Sequence, residues 1–131
     1  MPIRKVILEK DYYYHIYNRW FEKQIIFRNN HDFERFYKTI IRYNKIYDWI
    51  KILSYCFLPN HFHFILTSSK SGLEISNFMR KIQQSYAMYL RTNTSPDLKK
   101  KWPVFEWRFK AKIIDNEEYL YKCLAYLILI H

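Results

Sequence analysis

The chain has 131 residues, 50% of them hydrophobic and 26% charged, with 22 Lys and Arg against 12 Asp and Glu. That length suits one compact domain spanning residues 1–131, and the apolar fraction excludes a wholly disordered chain. A net charge of +10 points to a polyanionic partner, nucleic acid before an acidic membrane surface.

Aromatic residues make up 21% of the chain, including 13 Tyr and 10 Phe. Most of them belong in a core whatever the function, yet aromatics mixed with cations are also what a single-stranded nucleic acid site uses. Cys56 and Cys123 each lie in an apolar run and form no CxxC pair. They read as small buried hydrophobes in a reducing compartment, not as zinc ligands. The N-terminus lacks the apolar stretch of a signal peptide, and nowhere do about 18 uncharged apolar residues run together. The expectation is a cytoplasmic protein that does not enter a membrane.

In chain order, Tyr12 to Asn18 is dense in β-formers and predicts a first strand. Asn29 to Asp32 supplies capping residues for a helix from Asp32 to Tyr47, where Phe33, Phe36, Ile40, Tyr43 and Tyr47 recur at helical spacing. Trp49 to Leu58 predicts a second strand, Pro59-Asn60 a turn, and His61 to Thr67 a third strand returning beside it. After the loop Ser68–Gly72, the stretch Leu73–Thr92 places Ile75, Phe78, Met79, Ile82, Tyr86 and Tyr89 on one helical face. Asn93 to Lys101 is a basic, turn-rich loop, and Val104 to Ile114 alternates as a fourth strand. Asp115 or Asn116 caps a last helix bearing Tyr119, Cys123, Tyr126 and Ile130. The order βαββαβα predicts an α+β, ferredoxin-like fold: an antiparallel sheet with helices packed on one face.

His61-Phe62-His63 falls in the third strand. Strand side chains alternate, so the two imidazoles project to one side while Phe62 and Phe64 enter the other. Two imidazoles so placed are able to chelate one divalent cation, although an isolated HxH is more often two solvated histidines. The residues alone leave Tyr119, Tyr121 and Tyr126 almost equal as nucleophile candidates.

The segment CFLPNHFHFIL resembles the His-hydrophobic-His motif of the HUH endonucleases, above all the IS200-like single-strand transposases and their REP-associated tyrosine transposase relatives. Four further blocks are similar in order: YHIYNR at the start, SNFMRKIQQSYAMYL, VFEWRFKAKII and DNEEYLYKCLAYLILI. The resemblance implies metal ligation by His61 and His63, with Mg²⁺ or Mn²⁺ as the ion, and Tyr126 as nucleophile. It implies nicking and strand transfer on single-stranded, hairpin-ended DNA through a 5′-phosphotyrosine. IS200-like enzymes are homodimers and some REP-associated relatives are monomers, so either assembly fits. The family carries Gln or Asn one turn after the tyrosine as a third ligand; here that position is Ile130, which has no ligating atom. His131 or water would then complete the site, the natural protein would be longer, or the chain would bind structured DNA without cutting it.

Two basic clusters offer counterions for phosphate: Lys99, Lys100 and Lys101 beside Trp102, and Arg108, Lys110 and Lys112 at strand spacing. Trp102, Phe105 and Trp107 are candidate stacking faces for unpaired bases, with at least one of them expected in the core. A basic RNA-binding domain would explain the charge but not the ordered HxH and tyrosine blocks.

Overall fold

The structure, a computed structural model, describes residues 7–25, 27–92, 104–105 and 108–129, with side chains along the last helix as far as Cys123. Its elements are β1 (Tyr13–Arg19), α1 (Asn30–Ile46), β2 (Ile50–Leu58), β3 (His61–Ser68), α2 (Gly72–Thr92), β4 (Lys110–Ile114) and α3 (Glu117–Leu129), with a short 3₁₀ turn at Phe21–Lys23. The strands form one four-stranded sheet in the order β2-β3-β1-β4, and all three pairings are antiparallel. The expected α+β order βαββαβα is therefore the observed one.

Alternation in β3 builds the core. Phe62, Phe64 and Leu66 are fully buried on one face, where they meet Tyr14 and Ile16 of β1 and the apolar stripes of α1 and α2. Trp20 lies at the centre of this aromatic cluster, 4.2 Å from Phe105 and 5.1 Å from Phe27 between ring centroids. Trp20 also fixes the β2–β3 turn, since its indole N–H donates to the Pro59 carbonyl at 2.9 Å and its backbone N–H to that of Asn60 at 3.1 Å. Gly72, the only glycine, opens α2 where a Cβ would lie 1.9 Å from the Leu8 carbonyl oxygen, so no larger residue fits that approach.

Two expectations are corrected. The helices do not share one face: α3 packs on the opposite side of the sheet, where Cys56, Ile65, Ile114 and Cys123 form a second cluster with Tyr119 and Leu120 beside it. The other pleat of the same strands supplies that cluster, so helices pack against both faces of the sheet. The fourth strand is also shorter than Val104–Ile114; it begins at Lys110, while Phe105 makes an isolated bridge with Trp20.

Asn29 caps α1, its side-chain oxygen accepting from the Asp32 N–H at 3.0 Å. Asp32 is itself only 1% exposed and accepts from Arg28 Nε at 2.7 Å and from the Tyr89 hydroxyl at 2.7 Å. Burial alone would raise this carboxyl, but the hydrogen bonds from Arg28 and Tyr89 hold it below the ordinary carboxylate value. Its stabilisation is therefore complete above that value and lost as pH falls through the lower folded one. Asp32→Asn is expected to cost about 2 kcal/mol at neutral pH. Urea melts of wild type and variant should converge below pH about 4, where the unfolded carboxylate protonates.

Candidate nucleic-acid-processing site on the sheet

The pairing register lays out the face opposite the main core as rows across the strands. Cys56, His63, Tyr17 and Lys110 form one row; Ser54, Ile65, His15 and Lys112 form the next; Leu58, His61 and Arg19 form a third. His61 and His63 thus project together, as alternation predicts, with ring centroids 5.0 Å apart. Lys110 and Lys112 stand exposed in adjacent rows on the same face, and Arg19 is exposed beside His61.

Each histidine of the pair has one nitrogen engaged. His61 Nδ1 donates to the Asn60 side-chain oxygen at 2.6 Å, and His63 Nδ1 lies 3.0 Å from Nε2 of His15. The His15 and His63 rings stack with centroids 5.2 Å apart, and Tyr17 stacks on His63 at 5.7 Å. His63 is 6% exposed. Burial, with His15 and His61 adding to it, pulls its pKa down to about 4. Burial lowers His15 and His61 as well, assisted by Lys112 and Arg19 respectively. Each shift favours the neutral imidazole, the form that ligates a metal.

Arg108 is exposed but precedes β4, so it does not continue the strand register of Lys110 and Lys112. Phe105 is buried against Trp20 and offers no stacking face, because the ring fills the core beneath the β2–β3 turn. Lys99, Lys100, Lys101, Trp102, Trp107, Ile130 and His131 lie outside the described residues, and so does the side chain of Tyr126. Along α3, Asn116 rather than Asp115 provides the cap, accepting from the Tyr119 N–H at 2.8 Å. Tyr119 packs into the second cluster, whereas Tyr121 is 65% exposed. Sequence reasoning did not single out His15, Tyr17, Asn60 or Arg19. The alternation in YHIYNR puts His15 and Tyr17 on one face, but nothing in the sequence states that β1 lies beside β3 in this register.

The family model of the IS200-like transposases matches residues 9–127. This chain belongs to that family. Among solved structures, a REP-associated tyrosine transposase bound to a REP hairpin is 16% identical, with a TM-score of 0.71 over 97% of this chain and 70% of that one. A candidate transposase from Deinococcus radiodurans R1 is 12% identical, with a TM-score of 0.63 over 100% of this chain and 98% of that one. These two likenesses concern the fold. No curated protein matches the chain. Among the described residues, no helix of this transposase-family chain is long and apolar enough to cross a membrane.

Proposed function

We propose that this IS200-like chain nicks and rejoins single-stranded, hairpin-containing DNA, with His61 and His63 as metal ligands and Tyr126 as nucleophile. The observation that carries the reading is the HxH pair itself. Both imidazoles face the same side, both have Nδ1 engaged, and Lys110, Lys112 and Arg19 flank them. The family match over residues 9–127 supports the reaction class, and the hairpin on the similar REP-associated structure supports the substrate class.

The residues fit a divalent ion. An amide oxygen only accepts, so Asn60 keeps the His61 proton on Nδ1 and leaves Nε2 bare. Mg²⁺ or Mn²⁺ bound there would neutralise charge on the scissile phosphate and make phosphorus more electrophilic. The exposed cations Lys110, Lys112 and Arg19 hold the flanking phosphates against the sheet. The Tyr126 oxygen attacks phosphorus and loses its proton as the new P–O bond forms. The bond from phosphorus to the 3′-oxygen breaks, and that oxygen leaves as a hydroxyl. Attack on the phosphotyrosine by a different 3′-hydroxyl reverses these events and rejoins strands without a high-energy cofactor. Helix position 126 is seven residues, close to two turns, beyond Tyr119.

A labelled hairpin oligonucleotide incubated with the chain and Mn²⁺ tests this. A covalent protein–DNA adduct is the expected result; binding without an adduct would overturn it in favour of a DNA-binding relative that does not cut. Phosphate contacts also predict a measurable salt dependence. Lys110→Gln with Lys112→Gln should weaken DNA binding regardless of sequence and reduce the slope of log K against log salt by about two, one per lost contact. Titrations by fluorescence anisotropy across a salt series provide the check.

A further inference from the structure

We infer that His15 is a positioning residue for the HxH pair: its Nε2 takes the Nδ1 proton of His63, so that His61 and His63 present their bare Nε2 atoms together. This rests on the reading that the pair holds a divalent ion, but it concerns hydrogen bonds that exist in the protein without one.

The two histidines of the pair are anchored differently. His61 faces a side-chain oxygen at 2.6 Å, and an oxygen of that kind accepts only, so one tautomer is imposed on it. His63 faces another imidazole at 3.0 Å, and two neutral imidazoles form that bond in either direction. If His15 donated, His63 would carry its own proton on Nε2 and could not ligate through that atom. If His63 donates, its Nε2 lone pair is free for a ligand, matching His61. Metal-ligating histidines usually donate their second ring N–H to an acceptor, which orients the ring and raises its basicity. His15 is the acceptor that the fold supplies for His63.

The position of His15 makes it a support rather than a third ligand. Its Nε2 is directed at His63, and among the described residues no three His, Cys, Asp or Glu side chains are placed to hold one ion. It is also held firmly. His15 lies in the middle of β1, paired with Ile65 on one side and Lys112 on the other, and its ring stacks on His63 while Tyr17 lies against both rings.

Two measurements on the full chain decide the matter. Long-range ¹H–¹⁵N correlation spectra, recorded without metal at neutral pH, report which ring nitrogen of each histidine carries the proton. The expected spectrum has His61 and His63 protonated on Nδ1 and His15 bare on Nε2; a wild-type His63 protonated on Nε2 would overturn the inference. Calorimetry with Mn²⁺ then compares wild type, His15→Phe and His15→Gln. Phe removes the acceptor and should weaken Mn²⁺ binding about 10- to 100-fold and move the His63 proton off Nδ1. Gln restores an acceptor oxygen at similar reach and should recover binding to within a few-fold. Equal Mn²⁺ binding by wild type and His15→Phe would refute the positioning role, as would loss in both variants with the His63 tautomer unchanged. Should His15→Phe fail to fold, the wild-type tautomers and the Gln variant still decide it. Absence of Mn²⁺ binding in a wild type that has the expected tautomers would instead sink the metal reading on which the inference rests.

Discussion

Tyr126→Phe is expected to abolish covalent adduct formation while leaving the protein folded and bound to DNA. Only a hydroxyl is removed, so the helix and its packing change little, and the stability cost should stay within about 1 kcal/mol. The reaction, by contrast, loses the atom that forms the new bond to phosphorus, and loss of a nucleophile costs about 10⁴-fold or more in rate. Tyr119→Phe and Tyr121→Phe are the internal controls. Tyr121 is exposed on the far side of α3, and Tyr119 is packed among Cys56, Ile65 and Cys123, where burial raises its phenol and disfavours the phenolate. Both variants should retain the adduct. Mass spectrometry of the trapped peptide identifies the residue, and an adduct on Tyr119 or Tyr121 would show that the wrong tyrosine has been assigned.

The second large effect is expected from His61→Ala combined with His63→Ala. Mn²⁺ binding measured by calorimetry should disappear, and nicking should fall by at least about 10³-fold, as several kcal/mol of charge stabilisation at the phosphate are withdrawn. DNA affinity should hold, because Lys110, Lys112 and Arg19 keep their places on the same face. The single variants differ in stability. His63 is buried between Cys56 and Tyr17 and its loss leaves a void, whereas His61 at the start of β3 is half-buried and its ring is held by the adjacent turn. His63→Ala should therefore cost about 1–2 kcal/mol more than His61→Ala in a urea melt. Nicking that survives in the double variant would remove the pair from the reaction.

Much of this is legible in the sequence alone. The alternation in HFHFILT separates two histidines from two phenylalanines without reference to a neighbour, since the pleat is a local property of an extended backbone. Helical spacing in α1 and α2 likewise identified Phe36, Ile40, Ile75, Phe78, Ile82 and Tyr86 as core, and all of them are buried. The ordered blocks around the histidines and the last helix pointed to the family that the match over residues 9–127 establishes.

What the chain could not declare locally is which strands become neighbours and in what register. Strict alternation from Ile50 would place Ile52, Ser54, Cys56 and Leu58 on one face of β2. A bulge between Ile52 and Ser54 shifts the register, so Ile52 stays with the main core while Cys56 and Leu58 turn to the histidine face. That shift completes a second apolar cluster on which α3 packs, because Cys56 and Ile65 would otherwise face water. The helix with Tyr126 is thereby carried to the same side of the sheet as His61 and His63. Its own apolar pattern is nearly all-round and names no preferred face, so only packing decides the side. The same holds for His15, 48 positions before His63, brought to 3.0 Å from it by the pairing of β1 with β3. Periodicity along a chain specifies what each element exposes. Contact between elements depends on long-range pairing, and that is settled only when both faces of the sheet are filled.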